Sequence, residues 1–320
     1  MASLALVTVL YKSDDVLEGF IKSISRQSFT DYHLYVVDNS AAPHTDRLLT
    51  QLLTTYPVSA FTHIRNDDNY GAAKGNNQGI AAALAADSSY ILLLNNDIEI
   101  PSPHLLAQLF QEAVRRQEQI IIPKLLYYDT RAICMAGGHL NHRTAVTVHI
   151  GAGEPDEGQY NTPGYCNYGP TTFMLLSREV LTRVGYIDER YFAYYEDTDF
   201  IYRATQLGYS IYYQPHLEVL HKESSLTGGL RSPFFIYYIN RNRLYFIRKN
   251  FKGLQKVGAF ASMGLDFLRM FRHYSHVQRK VLIKAMCYGL FASSPQAGAN
   301  KKLASYLRTR ISLSRLNNFR

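Results

Sequence analysis

The stretch that most constrains this chain is Tyr90-Ile-Leu-Leu-Leu-Asn-Asn-Asp97. Tyr90 to Leu94 is an apolar run too short for a helix and uninterrupted by polar residues, as in a central parallel strand covered on both faces. The run stops at Asn95-Asn96-Asp97, so amide and carboxylate oxygens collect at the carboxyl end of a buried strand. In open α/β sheets ligands bind at that end. Oxygen donors there suit a hard divalent cation, Mg²⁺ or Mn²⁺, carrying phosphate groups. A strand ending in an Asn/Asp turn fits the segment as well, so neighbouring segments must decide.

Upstream, strands and helices alternate. Leu4 to Leu10 reads as a strand, followed by a helix capped by Asp14 with Leu17, Phe20, Ile21 and Ile24 at helical spacing. Tyr32 to Val37 is a second strand, ending in Asp38-Asn39-Ser40, and a helix follows through Leu48, Leu49, Leu52 and Leu53. Val58 to Ile64 is a third strand. Residues 66–77 read as a Gly- and Asn-rich loop entering an Ala-rich helix that ends near Ala86. This alternation predicts an α/β fold with a doubly wound, mostly parallel sheet. Asp38, Asp68 and Asp97 then share its carboxyl edge, which favours a nucleotide site over three separate helix caps.

Beyond Pro101 come a helix through Leu105 and Leu109, a strand at Ile120–Ile122, and a looser region from Leu125 to Tyr165. That region reads as a hairpin plus a loop, either a lid at the site edge or ordinary surface. Tyr168 to Leu176 is another buried strand, and Arg178 to Val184 a short helix closed by Gly185. Glu196, Asp197 and Asp199 sit near a helix start. The helix dipole alone favours acids there. The surrounding aromatics, Tyr191, Phe192, Tyr194, Tyr195, Phe200 and Tyr202, add a second effect, because burial raises a carboxyl pKa towards a general base's range. Tyr209–Gln214 and Leu217–Leu220 read as two short strands, the second ending at His221, where a metal ligand can stand.

The chain has 320 residues, 47% of them apolar and 19% charged, which fits a globular protein of one large domain with an appendage. Its three cysteines are far apart, without metal-ligand spacing, as expected in a reducing compartment. The first residues lack the basic segment of a secretory signal, and no stretch reaches the roughly 18 apolar residues of a membrane span. The expectation is a cytoplasmic protein.

The net charge is +8 and unevenly spread: from Arg241 onward 17 Lys and Arg face one acid, Asp266, leaving −8 on the preceding residues. Three helices are expected there, around 254–272, 277–291 and 298–316, each mixing apolar and basic residues. That composition suits amphipathic helices on an anionic membrane surface. Packing against the preceding domain, or against a second subunit in a homodimer, is the other reading. No nucleic-acid recognition motif accompanies the positive charge. A nucleotidyltransferase would carry a Gly-rich triphosphate loop with basic residues near the amino terminus, where this chain has Tyr11-Lys12-Ser13-Asp14-Asp15.

The ordered set Val7–Lys12, Val36–Ser40, Asn69–Asn77, Leu93–Asp97, Phe173–Leu176, Gly185–Glu189, Tyr194–Phe200, Pro215 and His221 resembles the family 2 inverting glycosyltransferases, which have the GT-A fold. Within them the chain looks most like bacterial rhamnosyltransferases of O-antigen and other cell-wall polysaccharides. The resemblance covers residues 4 to about 225. It implies a catalytic domain over 1–230, with a nucleotide-sugar half to about residue 100 and an acceptor half beyond, and a basic helical region over 231–320.

By that similarity Tyr11, Asp38, Asn39, Asp68, Asn69, Gly75, Asn76, Asn95 and Asn96 line the nucleotide-sugar pocket. Asp97, Asn95 and His221 hold a divalent metal, Mg²⁺ or Mn²⁺. Asp197 is the catalytic base, and Glu196, Asp199 and Tyr195 hold the acceptor or support the base. One departure stands out: the first acid of the family's Asp-x-Asp metal motif is Asn95 here, a weaker ligand. The implied partners are a dTDP- or UDP-linked sugar, with dTDP-rhamnose first and UDP-linked hexose, N-acetylhexosamine or galactofuranose as alternatives. The implied acceptor is a polysaccharide or a polyprenyl-diphosphate-linked oligosaccharide, which places the enzyme on the inner face of the cytoplasmic membrane. A sugar-binding module that has lost catalysis would lack the acidic pair, and both acids are present.

Overall fold

A computed structural model of the chain describes residues 3–222, 229 and 231–291. The helix expected at 298–316 lies outside the described residues.

The apolar runs become strands as their patterns demand: β1 (Leu4–Leu10), β2 (Tyr32–Asp38), β3 (Phe61–Arg65) and β4 (Tyr90–Leu94), separated by α1 (Asp14–Ser25), α2 (Pro43–Thr55) and α3 (Gly71–Ala85). A two-residue strand, β5 (Ile98–Glu99), leads to α4 (Leu105–Arg116) and the long β6 (Ile120–Tyr127). Short strands β7 (Ile133–Met135), β8 (Gly138–Asn141), β9 (Val146–His149) and β10 (Gly164–Cys166) precede β11 (Phe173–Ser177), α5 (Arg178–Val184), α6 (Glu196–Gln206) and β12 (Ile211–His221). Three helices, α7 (Pro233–Asn250), α8 (Gly253–His273) and α9 (His276–Phe291), complete the described chain.

The main sheet runs β10-β12-β6-β11-β4-β1-β2-β3, with β5 on β12 and β7 on β6. Only β11 and β10 oppose the other strands along this path. The carboxyl ends of β1, β2, β4 and β12 therefore share one edge. Because β11 is antiparallel to β4, with Phe173 opposite Leu94, the residues before β11 reach that edge too. The central strands are buried along their length, and helices cover both faces.

Several boundaries differ from the sequence reading. Asp14 is the first residue of α1, not its cap; Ser13 takes the cap position. The helix α3 begins at Gly71, so the second half of the expected 66–77 loop is helical. A β-carbon on Gly75 would sit 2.7 Å from Val9 of β1, so the glycine lets α3 lie close on the sheet. The two strands expected around His216 are one, β12, with an irregularity between Gln214 and Glu218 that accommodates Pro215. The 150–163 loop is tied to β6: the buried Lys124 ammonium donates to Asp156 at 2.8 Å and Asn161 at 2.6 Å.

The expected boundary near residue 230 is crossed by the core. Phe192 packs with Phe234, Ile236 and Tyr238, while Tyr191, Tyr195 and Tyr202 pack with Phe246, Ile247 and Phe251. Helix α7 thus belongs to the body formed by the preceding residues. Two of its cations, Arg241 and Arg243, are buried together with Asn242.

Candidate active site

The strand ends converge in two groups of side chains. The first lies at β1, β2 and the start of α3. Asp38 closes β2 with its carboxylate buried, accepting from the Ser40 amide at 2.7 Å and lying 3.8 Å from the His63 imidazole. Burial pushes this carboxyl up, but the nearby His63 imidazole and the hydrogen bond from Ser40 outweigh it, and its pKa settles below the ordinary value. Tyr11 is half-buried just past β1, and the next amide, Lys12, donates to Ser40 Oγ at 3.2 Å. Asp68 and Asn69 turn the chain into α3: Asn69 N donates to Asp68 Oδ1 at 2.7 Å, and Gly71 N to Asn69 Oδ1 at 2.9 Å.

Not every expected pocket residue faces a ligand. Asn39 is buried and spends its amide on the Gly71 carbonyl at 3.1 Å and its oxygen on Asn66 at 2.8 Å, so it fastens the start of α3. Asn96 is buried as well, donating to Ser13 Oγ at 2.6 Å and the Val9 carbonyl at 3.3 Å, so it ties β4 to β1. Gly75 meets Val9 and Asn39 rather than open space. Asn76 is buried on α3, whereas Asn95 is exposed.

Asp97 and His221 are brought together by β5, which pairs Ile98 with His221. Asp97 Oδ1 lies 3.4 Å from His221 Nε2 and, although buried, makes no hydrogen bond. Burial works against a charged His221, but Asp97 and then Cys134, whose sulfur is 3.8 Å from Nδ1, more than reverse that, to about 10. A buried carboxylate oxygen without a hydrogen-bond donor, facing an imidazole nitrogen, is the donor set a hard divalent cation takes. With Asn95 exposed beside them these residues fit such an ion. Among the described residues no group of three or more His, Cys, Asp or Glu forms a ready-made cage.

The second group is the acidic start of α6. Asp197 accepts from the Thr198 amide at 2.5 Å, the Thr198 hydroxyl at 3.1 Å and the Tyr168 hydroxyl at 3.0 Å. Glu196 beside it is buried, and its Oε2 has no hydrogen-bond partner. Burial raises both carboxyls above the ordinary range; the Asp197 charge lifts Glu196 further, while Thr198, Tyr168 and the nearby His149 partly offset the rise at Asp197. The pair therefore favours one retained proton, with Asp197 the better stabilised anion. Tyr195 donates its hydroxyl to the Ala145 carbonyl at 2.7 Å and packs on Phe246, so its phenol is committed to the β8–β9 hairpin.

Asp199, the third acid of this segment, is enclosed by the protein. It is fully buried and accepts from Tyr191 at 3.0 Å, Arg203 at 2.9 Å, Lys249 at 2.8 Å and Asn250 at 2.9 Å. These four donors serve both of its oxygens. Asp199 joins α6 to the end of α7.

The approach to α6 is strained. Phe192, Tyr194 and Tyr195 adopt φ of 68°, 64° and 70°, which costs bulky residues about 1–3 kcal/mol each. Two clamps hold this backbone. From α7, Asn242 donates to the carbonyls of Tyr191, Ala193 and Tyr194 at 3.0, 2.7 and 2.7 Å, and Arg241 donates to that of Arg190 at 2.8 Å. From α3, the Ala72 amide donates to the Phe192 carbonyl at 2.8 Å, while Asn77 binds the backbone of Ile187 at 2.8 and 3.0 Å. Gly71 is required at this crossing, since a β-carbon there would stand 2.5 Å from the Phe192 oxygen and its φ is +84°. Tyr168, Asn77, Asn242 and His149 were not anticipated from sequence.

The profile of the family described as "Glycosyltransferase like family 2" matches residues 2–246. The hexosyltransferase Agl10 of low-salt glycan biosynthesis in Haloferax volcanii is 24% identical over 241 residues, covering 75% of this chain and 74% of that one. The O-antigen biosynthesis protein RfbC of Myxococcus xanthus is 27% identical over 225 residues, 66% of this chain but only 16% of the relative's length. Among solved structures, the mannosyltransferase PcManGT of Pyrobaculum calidifontis, in complex with GDP-Man and Mn²⁺, superposes with a TM-score of 0.56 at 12% identity, covering 95% of this chain and 84% of that one. The sheet and its flanking helices are thus those of a GT-A glycosyltransferase.

Proposed function

The chain belongs to glycosyltransferase family 2, and on that footing we propose that it transfers a sugar from a nucleoside diphosphate to a hydroxyl of a glycan acceptor with inversion, in the biosynthesis of a surface polysaccharide. The observation that carries this reading is an ionisable carboxylate pair at the start of α6, Glu196 buried and Asp197 half-buried, strapped to the first turn of α3. The named functions of the two relatives, hexosyl transfer in glycan synthesis and O-antigen biosynthesis, support the substrate class.

Asp38, with Tyr11 beside it, offers the nucleoside a hydrogen-bonding carboxylate that stays ionised at neutral pH. Asp68 and Asn69 shape the turn that leads from this pocket into α3. Asp97 and His221, with Asn95 alongside, would hold a divalent cation, which supplies neutralisation of the charge developing on the departing diphosphate. The Asp197 carboxylate takes the proton of the acceptor hydroxyl as that oxygen forms its bond to the anomeric carbon. The bond from that carbon to the diphosphate breaks on the opposite face, and its electron pair leaves with the nucleotide. Glu196, protonated beside it, keeps a second negative charge away from the nucleophile, and its unpartnered Oε2 can receive an acceptor hydroxyl. Tyr168 and Thr198 hold Asp197 in place through both of its oxygens. The donor we infer is dTDP-rhamnose.

The discriminating experiment is nucleotide binding by calorimetry, with dTDP and UDP, each with and without Mn²⁺ or Mg²⁺. Metal-dependent binding of dTDP in preference to UDP is expected. Preference for UDP would keep the chemistry and overturn the sugar. A folded protein that binds neither would overturn the pocket itself.

A further inference from the structure

Helix α8 is amphipathic the wrong way round for a helix that only packs. Its inward face buries just Ala259 and Met263, while Leu254, Val257, Leu265 and Leu268, at helical spacing, point outward and are 57–90% exposed. Helix α9 repeats this: Val281, Leu282 and Ala285 pack inward, while Ile283 and Phe291 are exposed. Isolated exposed apolar residues need no explanation, but an aligned row of them marks a contact surface.

Charge selects what covers it. Between residues 252 and 284 there are seven Lys and Arg and a single acid, Asp266. That acid is already engaged, accepting from Arg243 at 2.8 Å with Arg269 at 3.6 Å. A second copy of the chain meeting this surface symmetrically would set cations against cations, because a two-fold interface pairs a patch with itself. The chain's own residues 292–320 carry six Lys and Arg and no acid, so they repel the patch as well. Among the described residues no helix is long and apolar enough to cross a bilayer. Exposed leucines flanked by uncompensated cations, on helices that do not span, match an interface of anionic headgroups over acyl chains.

We propose that the outward faces of α8 and α9 bind an anionic lipid surface, with Leu254, Val257, Leu265 and Leu268 entering the headgroup–acyl boundary and the flanking cations meeting lipid phosphates. The inference stands apart from the glycosyl-transfer reading, since it uses no residue of the catalytic edge.

Its test is sedimentation of the full chain with vesicles of phosphatidylcholine alone or mixed with phosphatidylglycerol. Binding is expected only with phosphatidylglycerol and should weaken as salt rises. The double substitution Leu265→Glu with Leu268→Glu should reduce binding at least about tenfold, because two leucines lose their transfer into the acyl region. Both sites are exposed, so the unfolding midpoint should not move, and nucleotide binding reports separately on the catalytic edge. Equal binding to both vesicle types, no binding to either, or binding untouched by the double substitution overturns the proposal. So does a dimer in solution that the same substitutions dissociate, since the row would then be covered by a second copy.

Discussion

Asn242 donates to the Tyr194 carbonyl at 2.7 Å across 48 residues of sequence, and the same amide serves the carbonyls of Tyr191 and Ala193. One fully buried side chain thus fixes the backbone turn that aims Glu196 and Asp197. Asn242→Ala should destabilise the protein by about 2 kcal/mol, since the Ala193 and Tyr194 carbonyls lose this donor while that of Tyr191 keeps Arg241 and the Ala193 amide. If Asn242 positions the acids, kcat should fall well beyond the loss of folded protein while nucleotide affinity holds. Urea unfolding beside steady-state kinetics separates the two effects, and an unchanged kcat in the folded variant would count against the positioning role.

Asp197→Asn removes the proposed base but keeps its shape. Turnover should drop by about 10²–10⁴ with donor binding little altered. The check is single-turnover sugar transfer alongside calorimetric nucleotide binding; near-normal turnover would remove Asp197 from the role.

The pH profile should carry the mark of this carboxylate pair. The proposed base, Asp197, acts only when ionised, and desolvation holds its pKa above the ordinary carboxylate value, so activity should fall on the acid side at a pH higher than an exposed Asp would give. The Tyr168 hydroxyl stabilises the anion. Tyr168→Phe should therefore move the acid limb to higher pH. A limb that stays put, or moves down, in a pH–rate profile of the variant would break the link between Tyr168 and Asp197.

Asp97→Ala should abolish the dependence of nucleotide binding on Mn²⁺ or Mg²⁺. His221→Ala should weaken the metal's effect without removing the nucleotide site, because Asp38 lies on another strand. Thermal shift with and without the metal reads both. Retained metal dependence in Asp97→Ala would place the ion elsewhere.

Lys249 donates to Asp188 at 2.7 Å and Asp199 at 2.8 Å. Lys249→Met should cost about 2 kcal/mol at neutral pH, less than an isolated buried pair because Asp199 keeps Arg203 and Asn250. Burial pushes the Asp188 carboxyl up, but Arg190 and Lys249 bring it well below the ordinary range. Its stabilisation is present above the unfolded carboxylate pKa and is lost as pH falls through the lower folded value. The deficit of the variant should therefore shrink in acid, which denaturant midpoints across pH will show.

The elements legible in the sequence were those with strong periodicity. The runs in β1 and β4 and the closure of α5 by Gly185 fall where the pattern placed them, because burial on both faces leaves little freedom. Asp38 and Asp97 stood out as acids at the ends of such runs, and Asp197 as an acid near a helix start among aromatics. Residues 71–77 did not read as helix because Gly and Asn are poor helix formers. Contact with Val9 at Gly75 and with the Phe192 carbonyl at Gly71 overrides that propensity. Asp199 looked like its neighbours at the helix start, yet the groups that enclose it, Lys249 and Asn250, come from 50 and 51 residues away. Nothing local announces such a partnership, and the same holds for Tyr168 and Asn242. The basic stretch after Arg241 read as membrane-facing or packed, and the described residues divide between the two: Arg241 and Arg243 of α7 are buried, whereas α8 and α9 carry exposed cations such as Arg269, Arg272, Lys280 and Lys284.

The enclosure of Asp199 sets a lower limit on how this scaffold can be cut or grafted. A fragment ending near residue 230 would strip an acid with no solvent exposure of Lys249 and Asn250, and would leave the turn into α6 without Asn242. Residues 185–206 and 233–250 therefore behave as one cassette. A chimera between relatives must carry both pieces from the same parent, and a shortened version made for crystallisation or screening must reach past Asn250 to keep the start of α6 in place.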